Sequence, residues 1–301
     1  MIKVLVTDGM DAEKKLELVD AGYGVIDEEV DAEELKKLIK DVDVAVIRSR
    51  TKITKEIIDE ALETKQFKAV IRAGVGLDNI DVAYATDNGI KVFNTPNASS
   101  NAVAELALAE ILSIPRFIHT SNIEMREGIW GKKAYKGEEI EGRTLGLVGY
   151  GRIAQSLAKK AKALGMNIIF FDPGVEEGEE GSVELEELLS SSDFISLHIP
   201  GGEANYHFIG KEEFEKMKEG VYFIDLARGG VVDEDALVDA IESGKVKAAA
   251  LDVFEEEPVK NERVLKCKQI SITPHIGAAT KEAQKRIGQE VVDILKENFP
   301  Q

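Results

Sequence analysis

Short apolar segments alternate along the chain with longer segments in which apolar residues recur three or four positions apart. In the first third of the chain the short apolar segments lie at residues 4–6, 24–26, 44–47, 69–71 and 91–93. The segments between them carry apolar residues at helical spacing, namely Leu35, Leu38 and Ile39, then Ile57, Ile58 and Leu62. Short apolar runs favour buried strands, and helical spacing favours amphipathic helices. Their alternation predicts a parallel sheet with helices on both faces.

The pattern starts again at Leu145 and continues through apolar segments at residues 167–171, 194–197, 221–226, 247–251 and 270–273. Between the two halves a long helix is predicted at residues 99–114, followed by Pro115 and a polar stretch that contains Trp130. A last helix is predicted at residues 281–298. We expect it to pack on the first half, because an isolated helix cannot bury its apolar stripe. The chain therefore predicts two α/β domains.

Composition excludes several classes of protein. The 301 residues are 44% hydrophobic, which is enough to fill two cores. No apolar run reaches the roughly 18 residues of a membrane-spanning helix. The net charge of −18 argues against nucleic acids and anionic membranes as partners. A single cysteine, Cys267, rules out an internal disulfide framework and predicts a cytoplasmic protein. With four histidines and no clustered His/Cys spacing, no metal site is predicted.

The most informative motif joins the first strand of the second half to the helix after it. Gly149 permits a tight turn there, Gly151 lets backbone N–H groups approach a pyrophosphate, and Ala154 is small enough for helix to pack on strand. The next strand ends in Asp172, where an acidic side chain accepts hydrogen bonds from an adenosine ribose. Strand, glycine turn, helix, strand and acid in this order predict that the chain binds NAD.

We therefore interpret the chain as an α/β protein with two doubly wound parallel-sheet domains separated by a cleft. Residues 97–275 are the predicted NAD-binding domain, of the Rossmann type. Residues 1–96, completed by residues 276–301, are the predicted substrate domain, which is flavodoxin-like. Pro96 and Pro274 then mark a hinge between the two.

Five polar residues follow predicted strands at their carboxyl ends: Arg48, Arg72, Arg228, Asp252 and His275. A single arginine after a strand is usually a solvated loop residue. Open parallel sheets, however, bind ligands at the carboxyl ends of their strands. Five such residues, in both halves of the chain, predict one ligand-binding cleft between the domains.

His275 is the predicted acid–base group, since histidine titrates near neutral pH. Glu257 can bind the other ring nitrogen and stabilise the imidazolium, whereas Glu255 and Glu256 are interpreted as solvated loop residues. Arg228, followed by glycines, offers a guanidinium that matches a carboxylate at two points. A capping or hinge role for His275 is the alternative interpretation.

Several separate motifs resemble the D-2-hydroxyacid dehydrogenase family, and within it most closely the D-3-phosphoglycerate dehydrogenases. The resemblance covers essentially the whole chain. Besides the glycine motif, it rests on Arg72–Asn79 (RAGVGLDN), Asn94–Asn97 (NTPN) leading to Ala104–Glu105, Ala227–Asp233 (ARGGVVD), Leu251–Phe254 (LDVF) and Pro274–Gly277 (PHIG). It implies NAD-dependent oxidation of D-3-phosphoglycerate to 3-phosphohydroxypyruvate, the first step of serine biosynthesis.

The resemblance also implies roles for individual residues. It implies a catalytic trio of Arg228, Glu257 and His275, with Asp252 as the partner of the nicotinamide carboxamide. The cofactor-binding residues that follow are Gly149, Gly151, Arg152, Ile153, Asp172, His198, Pro200, Ala227 and Asp252. The phosphorylated 2-hydroxy acid is expected at Arg48, Arg50 and Arg72, together with Ala73 and Gly74. The alternative for two of these arginines is internal pairing, of Arg72 with Asp78 or of Arg48 with Asp43.

The sequence departs from the family pattern in three places. Asp225 stands where an asparagine is commoner, and His198–Gly202 (HIPGG) lacks the Leu-Thr that often follows this proline. The sequence ends at Gln301, from which we expect no C-terminal regulatory module and no serine feedback through one. Glyoxylate/hydroxypyruvate reductase, D-lactate dehydrogenase and formate dehydrogenase remain alternative enzymes. A non-catalytic NAD-sensing corepressor is the alternative from another class.

Two further expectations concern the cofactor and the assembly. Glu176, Glu177, Glu179 and Glu180 follow Asp172 without a basic residue, which favours NAD over NADP. Residues 99–141 resemble the dimerisation surface of the family and predict a homodimer. Trp130, Lys132 and Lys133 then either reach the cleft of the neighbouring subunit or form a solvated arm.

Overall fold

The computed structural model describes residues 1–175 and 178–301. Within these residues eleven strands are all aligned in parallel with their sheet neighbours. The strands are β1 (Lys3–Val6), β2 (Gly24–Asp27), β3 (Val44–Ile47), β4 (Ala69–Arg72), β5 (Lys91–Asn94), β6 (Thr144–Val148), β7 (Asn167–Phe171), β8 (Phe194–Leu197), β9 (Val221–Asp225), β10 (Val246–Leu251) and β11 (Ile270–Ile272).

Helices connect these strands. The α-helices of the described residues are α1 (Ala12–Asp20), α2 (Ala32–Leu38), α3 (Lys55–Leu62), α4 (Val82–Asp87), α5 (Ser100–Ser113), α6 (Ile118–Arg126), α7 (Arg152–Ala163), α8 (Leu185–Ser191), α9 (Lys211–Lys216), α10 (Glu234–Glu242), α11 (Glu262–Lys266) and α12 (Lys281–Asn298).

The chain divides into two compact units, Met1–Ser99 with Ala278–Gln301, and Ser100–Gly277. Their boundaries lie within three residues of those expected from the sequence. The sheet of the first unit has the order β2-β1-β3-β4-β5. Its inner strands β1, β3 and β4 are mostly apolar because side chains on both of their faces are buried. Val4 and Val6 face one core, and Leu5 faces the other.

Helix α12 belongs to the first unit, although it is the last element of the chain. Its apolar residues Ile287, Val291 and Leu295 pack into the same core as Val4 and Leu18. The hydroxyl of Tyr23 donates a hydrogen bond to the carbonyl of Phe299 at 2.9 Å, beyond the end of this helix.

The sheet of the second unit has the order β11-β10-β9-β8-β6-β7. One face is covered by α5 and α7, which pack against Leu145, Leu147 and the neighbouring strands. The other face carries α8, α9 and α10 over a second core. Strand β6 lies between β7 and β8, so the turn after β6 opens where the strand order reverses. Such a switch point is where open parallel sheets bind their ligands. The predicted fold class, two doubly wound parallel-sheet domains, is confirmed.

The polar stretch expected after Pro115 contains helix α6, which the sequence pattern did not indicate. None of the residues of α6 is buried. A helix that buries no face leaves no helical period in the apolar residues, which explains why the pattern missed it. Among the described residues, no helix is both long and apolar enough to cross a membrane.

Candidate active site

The turn between β6 and α7 has the shape that a dinucleotide pyrophosphate requires. Gly149 adopts a left-handed conformation with φ of +88°, and a Cβ there would stand 2.7 Å from the carbonyl oxygen of His198. Gly151 is the N-cap of α7 and has no side chain to cap the helix. The position that a Cβ would occupy at Gly151 is open space. The first N–H groups of a helix have no intrahelical partner. With Arg152 and Ile153 in its first turn, this helix end presents donors that fit the pyrophosphate.

Asp172 lies beside this turn and holds it. One carboxylate oxygen of Asp172 accepts a hydrogen bond from the N–H of Tyr150 at 2.7 Å, and the other accepts one from Gly174 at 2.8 Å. Ala154 is fully buried at the start of α7, as expected for a close contact between helix and strand. The glycine motif and its acid are therefore one connected structure.

The loop after β8 contains the other residues expected at the cofactor. The N–H of His198 donates to the carbonyl of Val148 at 2.7 Å, and its Nε2 is 3.1 Å from the hydroxyl of Ser196. Burial lowers the pKa of His198 to about 4, so this imidazole is neutral at physiological pH. The side chain of Asn205 donates to the carbonyl of Pro200 at 2.9 Å. This hydrogen bond fixes the loop in which the sequence departs from the family pattern described above.

His275 and Glu257 form the hydrogen-bonded pair expected of an acid–base catalyst. Nδ1 of His275 lies 2.8 Å and 3.1 Å from the two carboxylate oxygens of Glu257. Burial opposes ionisation of Glu257, but its hydrogen bond and charge interaction with His275, with help from Arg228, hold its pKa below the usual value. Because Nδ1 is engaged, Nε2 is the nitrogen that can exchange a proton with a substrate.

Arg228 lies at the end of β9 in the same unit. The guanidinium donates to the carbonyl of Ala227 at 2.5 Å, and its charge acts on Glu257. Gly229 allows this loop to approach the next one closely, because a Cβ at Gly229 would coincide with the carbonyl oxygen of Phe254. The loop of Arg228 and the loop of Glu257 are therefore in backbone contact.

Asp252 is buried at the end of β10 and fixes the loop that carries His275. One of its oxygens accepts hydrogen bonds from the hydroxyl of Thr273 at 2.5 Å and the N–H of Ile276 at 2.8 Å. The other accepts one from the N–H of Gly277 at 2.7 Å. Its expected contact with the nicotinamide carboxamide stays a prediction.

Asp225, noted above as unusual for the family, is also buried at the end of a strand. Burial raises its pKa to about 7, although the N–H of Ala227 donates to it at 2.8 Å.

In the first unit, Arg48 and Arg72 lie at the carboxyl ends of two neighbouring strands. Strands β3 and β4 are paired so that Ile47 lies opposite Arg72, which places both arginines at neighbouring strand ends. The guanidinium of Arg72 donates to the hydroxyl of Ser49 at 3.0 Å. It occupies the space that a Cβ at Gly74 would need. Ala73, between Arg72 and Gly74, is buried.

Arg50 is held differently from the other two arginines. It pairs with Asp8 at 3.1 Å and with Glu29 at 3.0 Å, and it donates to the carbonyl of Thr7 at 3.0 Å. The suggested pairing of Arg48 with Asp43 is not the one that the structure shows, since Asp43 pairs with Lys68 at 2.8 Å. Arg48 instead donates its backbone N–H to Asp8 at 2.7 Å, and burial lowers the pKa of its guanidinium.

Sequence reasoning missed two residues of this region. Asp8 follows β1 as Arg48 follows β3, so the same strand-end rule could have found it. Glu255 was interpreted as a solvated loop residue; it does lie in an exposed loop, but it also makes specific contacts that this interpretation did not include. Its carboxylate accepts hydrogen bonds from Glu234 and lies within hydrogen-bonding distance of His207. No pattern in the sequence links residues 207, 234 and 255, because their contacts depend on how three loops fold together.

The second unit thus combines a parallel sheet, a glycine turn with its acid and a histidine–carboxylate pair, which together define an NAD-dependent oxidoreductase. Comparison with known proteins supports the same class. Residues 108–277 match the family model described as the NAD binding domain of D-isomer specific 2-hydroxyacid dehydrogenases. The chain therefore belongs to the D-isomer specific 2-hydroxyacid dehydrogenase family, is an enzyme and uses NAD as its cofactor.

Individual relatives carry different names. A hydroxypyruvate reductase from Thermotoga maritima is 47% identical over 98% of both chains. A D-3-phosphoglycerate dehydrogenase from Methanocaldococcus jannaschii is 44% identical over 98% of this chain, which spans 57% of that relative's length. Among solved structures, the D-lactate dehydrogenase from Aquifex aeolicus in complex with NAD and lactic acid has a TM-score of 0.86 at 30% identity, over 97% of this chain and 94% of that one.

We expect a clear preference for NAD over NADP. Asp172 and the acidic residues after it repel a 2′-phosphate, although Glu176 and Glu177 lie outside the described residues. A repulsion of about 1.4 kcal/mol gives tenfold discrimination in kcat/KM. Steady-state rates with each cofactor measure this ratio. Asp172→Asn should narrow this ratio, whereas Glu219→Gln, which removes an exposed carboxylate before the amino end of β9, should leave it unchanged. Equal efficiency of the unchanged enzyme with both cofactors would contradict the assignment.

Proposed function

We propose that the protein oxidises D-3-phosphoglycerate to 3-phosphohydroxypyruvate. The observation that carries this proposal is the position of Arg48 and Arg72 at the carboxyl ends of the neighbouring strands β3 and β4, where the guanidinium of Arg72 also donates a hydrogen bond to Ser49. Arginines at this edge of the sheet suit a dianionic phosphate, which a guanidinium binds through parallel hydrogen bonds. Arg50 stabilises the loop that follows β3, because it is paired with Asp8 and Glu29.

The second candidate is reduction of hydroxypyruvate to D-glycerate by NADH, which is the reverse reaction on a substrate without phosphate. The name of the relative from Thermotoga maritima favours it. The two candidates share the chemistry at C2 and differ only in the group on C3. The cations of the first unit therefore decide between them.

The chemistry at C2 follows from the geometry of the second unit. Bound NAD supplies the acceptor for the hydride that leaves C2. Arg228 binds the substrate carboxylate and polarises the oxygen on C2. Nε2 of His275 takes the hydroxyl proton, and Glu257, 2.8 Å from Nδ1, stabilises the positive ring that results. Reduction of the keto acid uses the same groups, with the proton starting on His275.

We also propose that the protein is a cytoplasmic homodimer that associates through residues 99–141. Large apolar side chains that are exposed in the described residues concentrate in one part of this segment. They are Leu112, Ile118, Ile123, Met125, Ile129 and Trp130, the last being 77% exposed. Monomeric proteins rarely expose contiguous apolar surface of this kind. A second copy of this chain, which presents the same surface, is the occupant that covers it.

Replacement of His275 by alanine should remove most turnover and leave NADH affinity nearly unchanged. The variant loses proton transfer in the transition state, which is worth about 10²- to 10⁴-fold. The residues proposed to hold the cofactor are left intact, apart from the loop beside Asp252. Turnover and fluorescence titration of NADH measure the two effects, and His119→Ala is the control. A variant with near-normal turnover would require another base.

Replacement of Arg72 by alanine should raise KM for D-3-phosphoglycerate about ten- to a hundredfold, the value of a lost charge-assisted contact. KM for D-glycerate should change little. Lys91→Ala, which removes a cation from the amino end of the neighbouring strand β5, should change neither. Equal increases for both substrates would make Arg72 structural. Faster turnover of D-glycerate than of D-3-phosphoglycerate by the unchanged enzyme would favour hydroxypyruvate reduction instead.

Light scattering after size exclusion should give about twice the chain mass of 33.0 kDa. The double variant Ile123→Glu and Met125→Glu should give the monomer mass, because burying two charges in an apolar interface is costly. Leu164→Glu, at another exposed apolar residue, should remain dimeric. A monomeric unchanged protein, or a double variant that stays dimeric, would place the interface elsewhere or remove it.

A further inference from the structure

The turn that presents Glu257 to His275 is held on its other side by Glu255. The two glutamates are separated by one residue and make different contacts. Glu257 binds Nδ1 of His275, whereas Glu255 contacts the start of α10 and the loop after β8. Glu256 between them pairs with Lys260 on the surface. Three adjacent carboxylates thus have three environments.

Glu255 and Glu234 hold each other through reciprocal hydrogen bonds. The N–H of Glu255 donates to Oε1 of Glu234 at 2.8 Å, and the N–H of Glu234 donates to Oε1 of Glu255 at 3.2 Å. Glu234 is only 5% exposed, and burial raises its pKa. These two bonds fasten the Glu255 backbone to the first residue of a helix that packs firmly on the sheet.

His207 completes this contact from the loop after β8. Its Nε2 lies 3.0 Å from Oε1 of Glu255, and its Nδ1 lies 3.8 Å from Oδ2 of Asp233. The backbone of His207 is left-handed, with φ of +51°, and its N–H donates to the carbonyl of Gly230 at 2.8 Å. A non-glycine residue keeps this conformation only where its surroundings enforce it.

The ring of Tyr206 stacks on the imidazole of His207, with 4.0 Å between centroids. The ring of Tyr206 also packs against Gly230. The histidine therefore joins three segments: the loop after β8, the loop that follows Arg228, and the turn of Glu257.

A metal ion is the alternative explanation for His207, Asp233 and Glu255, whose potential ligand atoms lie within 4.8 Å of one another. The contacts favour hydrogen bonds. The two ring nitrogens face two different carboxylates, and the oxygen of Glu255 nearest the ring already accepts the N–H of Glu234. A single ion would have to displace that bond and turn the ring.

We propose that His207 and Glu255, with Glu234, form a latch that positions Glu257 against His275. The proposal rests on the roles proposed above for Glu257 and His275. Phe254, directly before Glu255, abuts Gly229, and its N–H lies 3.4 Å from Oε1 of Glu257. Movement of Glu255 therefore shifts the backbone that carries Glu257. His207 and Glu255 are positioning residues and do not touch the reacting atoms.

The latch has a consequence for pH dependence. Reduction of a keto acid needs the protonated form of His275, and Glu257 stabilises that form. The charged and titratable groups that face His207 are Asp233, Glu255 and the stacked Tyr206, and those that face Glu255 are His207 and Glu234. If the latch is opened, Glu257 binds His275 less well. The fall in kcat/KM at high pH then occurs at a lower pH.

The test compares Glu255→Gln and His207→Phe with Glu256→Gln, using NADH and whichever keto acid, 3-phosphohydroxypyruvate or hydroxypyruvate, the unchanged enzyme reduces faster. Glu255→Gln and Glu256→Gln make the same charge change one residue apart, and His207→Phe keeps the stacked ring while removing both nitrogens. For the two latch variants we expect kcat to fall about three- to tenfold, with the dissociation constant of NADH unchanged. Their high-pH limb of kcat/KM should move to lower pH. Glu256→Gln should match the unchanged enzyme in kcat, in the dissociation constant of NADH and in the pH profile of kcat/KM.

A parallel Glu257→Gln variant separates failure of the latch from failure of the proposed chemistry. If Glu257→Gln leaves the pH profile unchanged, the roles assigned to Glu257 and His275 are wrong. If Glu257→Gln shifts the profile while Glu255→Gln and His207→Phe behave like Glu256→Gln, the latch is wrong. Loss of activity after dialysis against EDTA, restored by Zn²⁺ or Mn²⁺, would also overturn the latch and indicate a metal site. Circular dichroism identifies a misfolded variant, in which case the other latch variant decides.

Discussion

The geometry of the candidate active site depends most on the hydrogen bonds that the buried carboxylate of Asp252 accepts. It accepts three hydrogen bonds from Thr273, Ile276 and Gly277, on both sides of His275. Unpaired, such a charge would be costly to bury, but here each bond compensates for lost hydration and fixes the loop as well. His275, the proposed acid–base group, thereby has a defined position before any substrate binds. Preorganisation of this kind removes reorganisation from the chemical step.

The segment after β10 shows how one residue type serves different purposes at adjacent positions. Glu256 contributes an exposed ion pair, which has little effect on stability. Glu257 loses part of its hydration and gains the hydrogen bond from His275 in return. Glu255 is held by backbone and imidazole groups of other loops. The environment of each carboxylate, rather than its identity, separates a surface charge from the proposed catalytic partner and from the contact proposed to position it.

A chain with a net charge of −18 must still attract an anionic substrate. The proposed function places the attraction at strand ends, because Arg48 and Arg228 follow strands of parallel sheets and Arg72 is the last residue of β4. Coulomb attraction in a partly buried site is much stronger than repulsion from distant surface charges, which salt screens. The family membership fixes the chemistry at C2. In the proposed function, the cations of the first unit distinguish a phosphorylated substrate from one without phosphate.

The sequence by itself determined the two parallel sheets, the glycine turn with Asp172 and the strand-end positions of Arg228, Asp252 and His275. These features depend on local periodicity and on the rule that parallel strands end at one edge, so they can be predicted from short segments. Only the tertiary structure decided the partners of each polar group: Arg50 with Asp8, Asp252 with the loop of His275, and Glu255 with His207 and Glu234. It also revealed helix α6, which buries no residue. Hydrogen bonds between loops far apart in sequence leave no periodic pattern, because they form only after packing has brought the loops together.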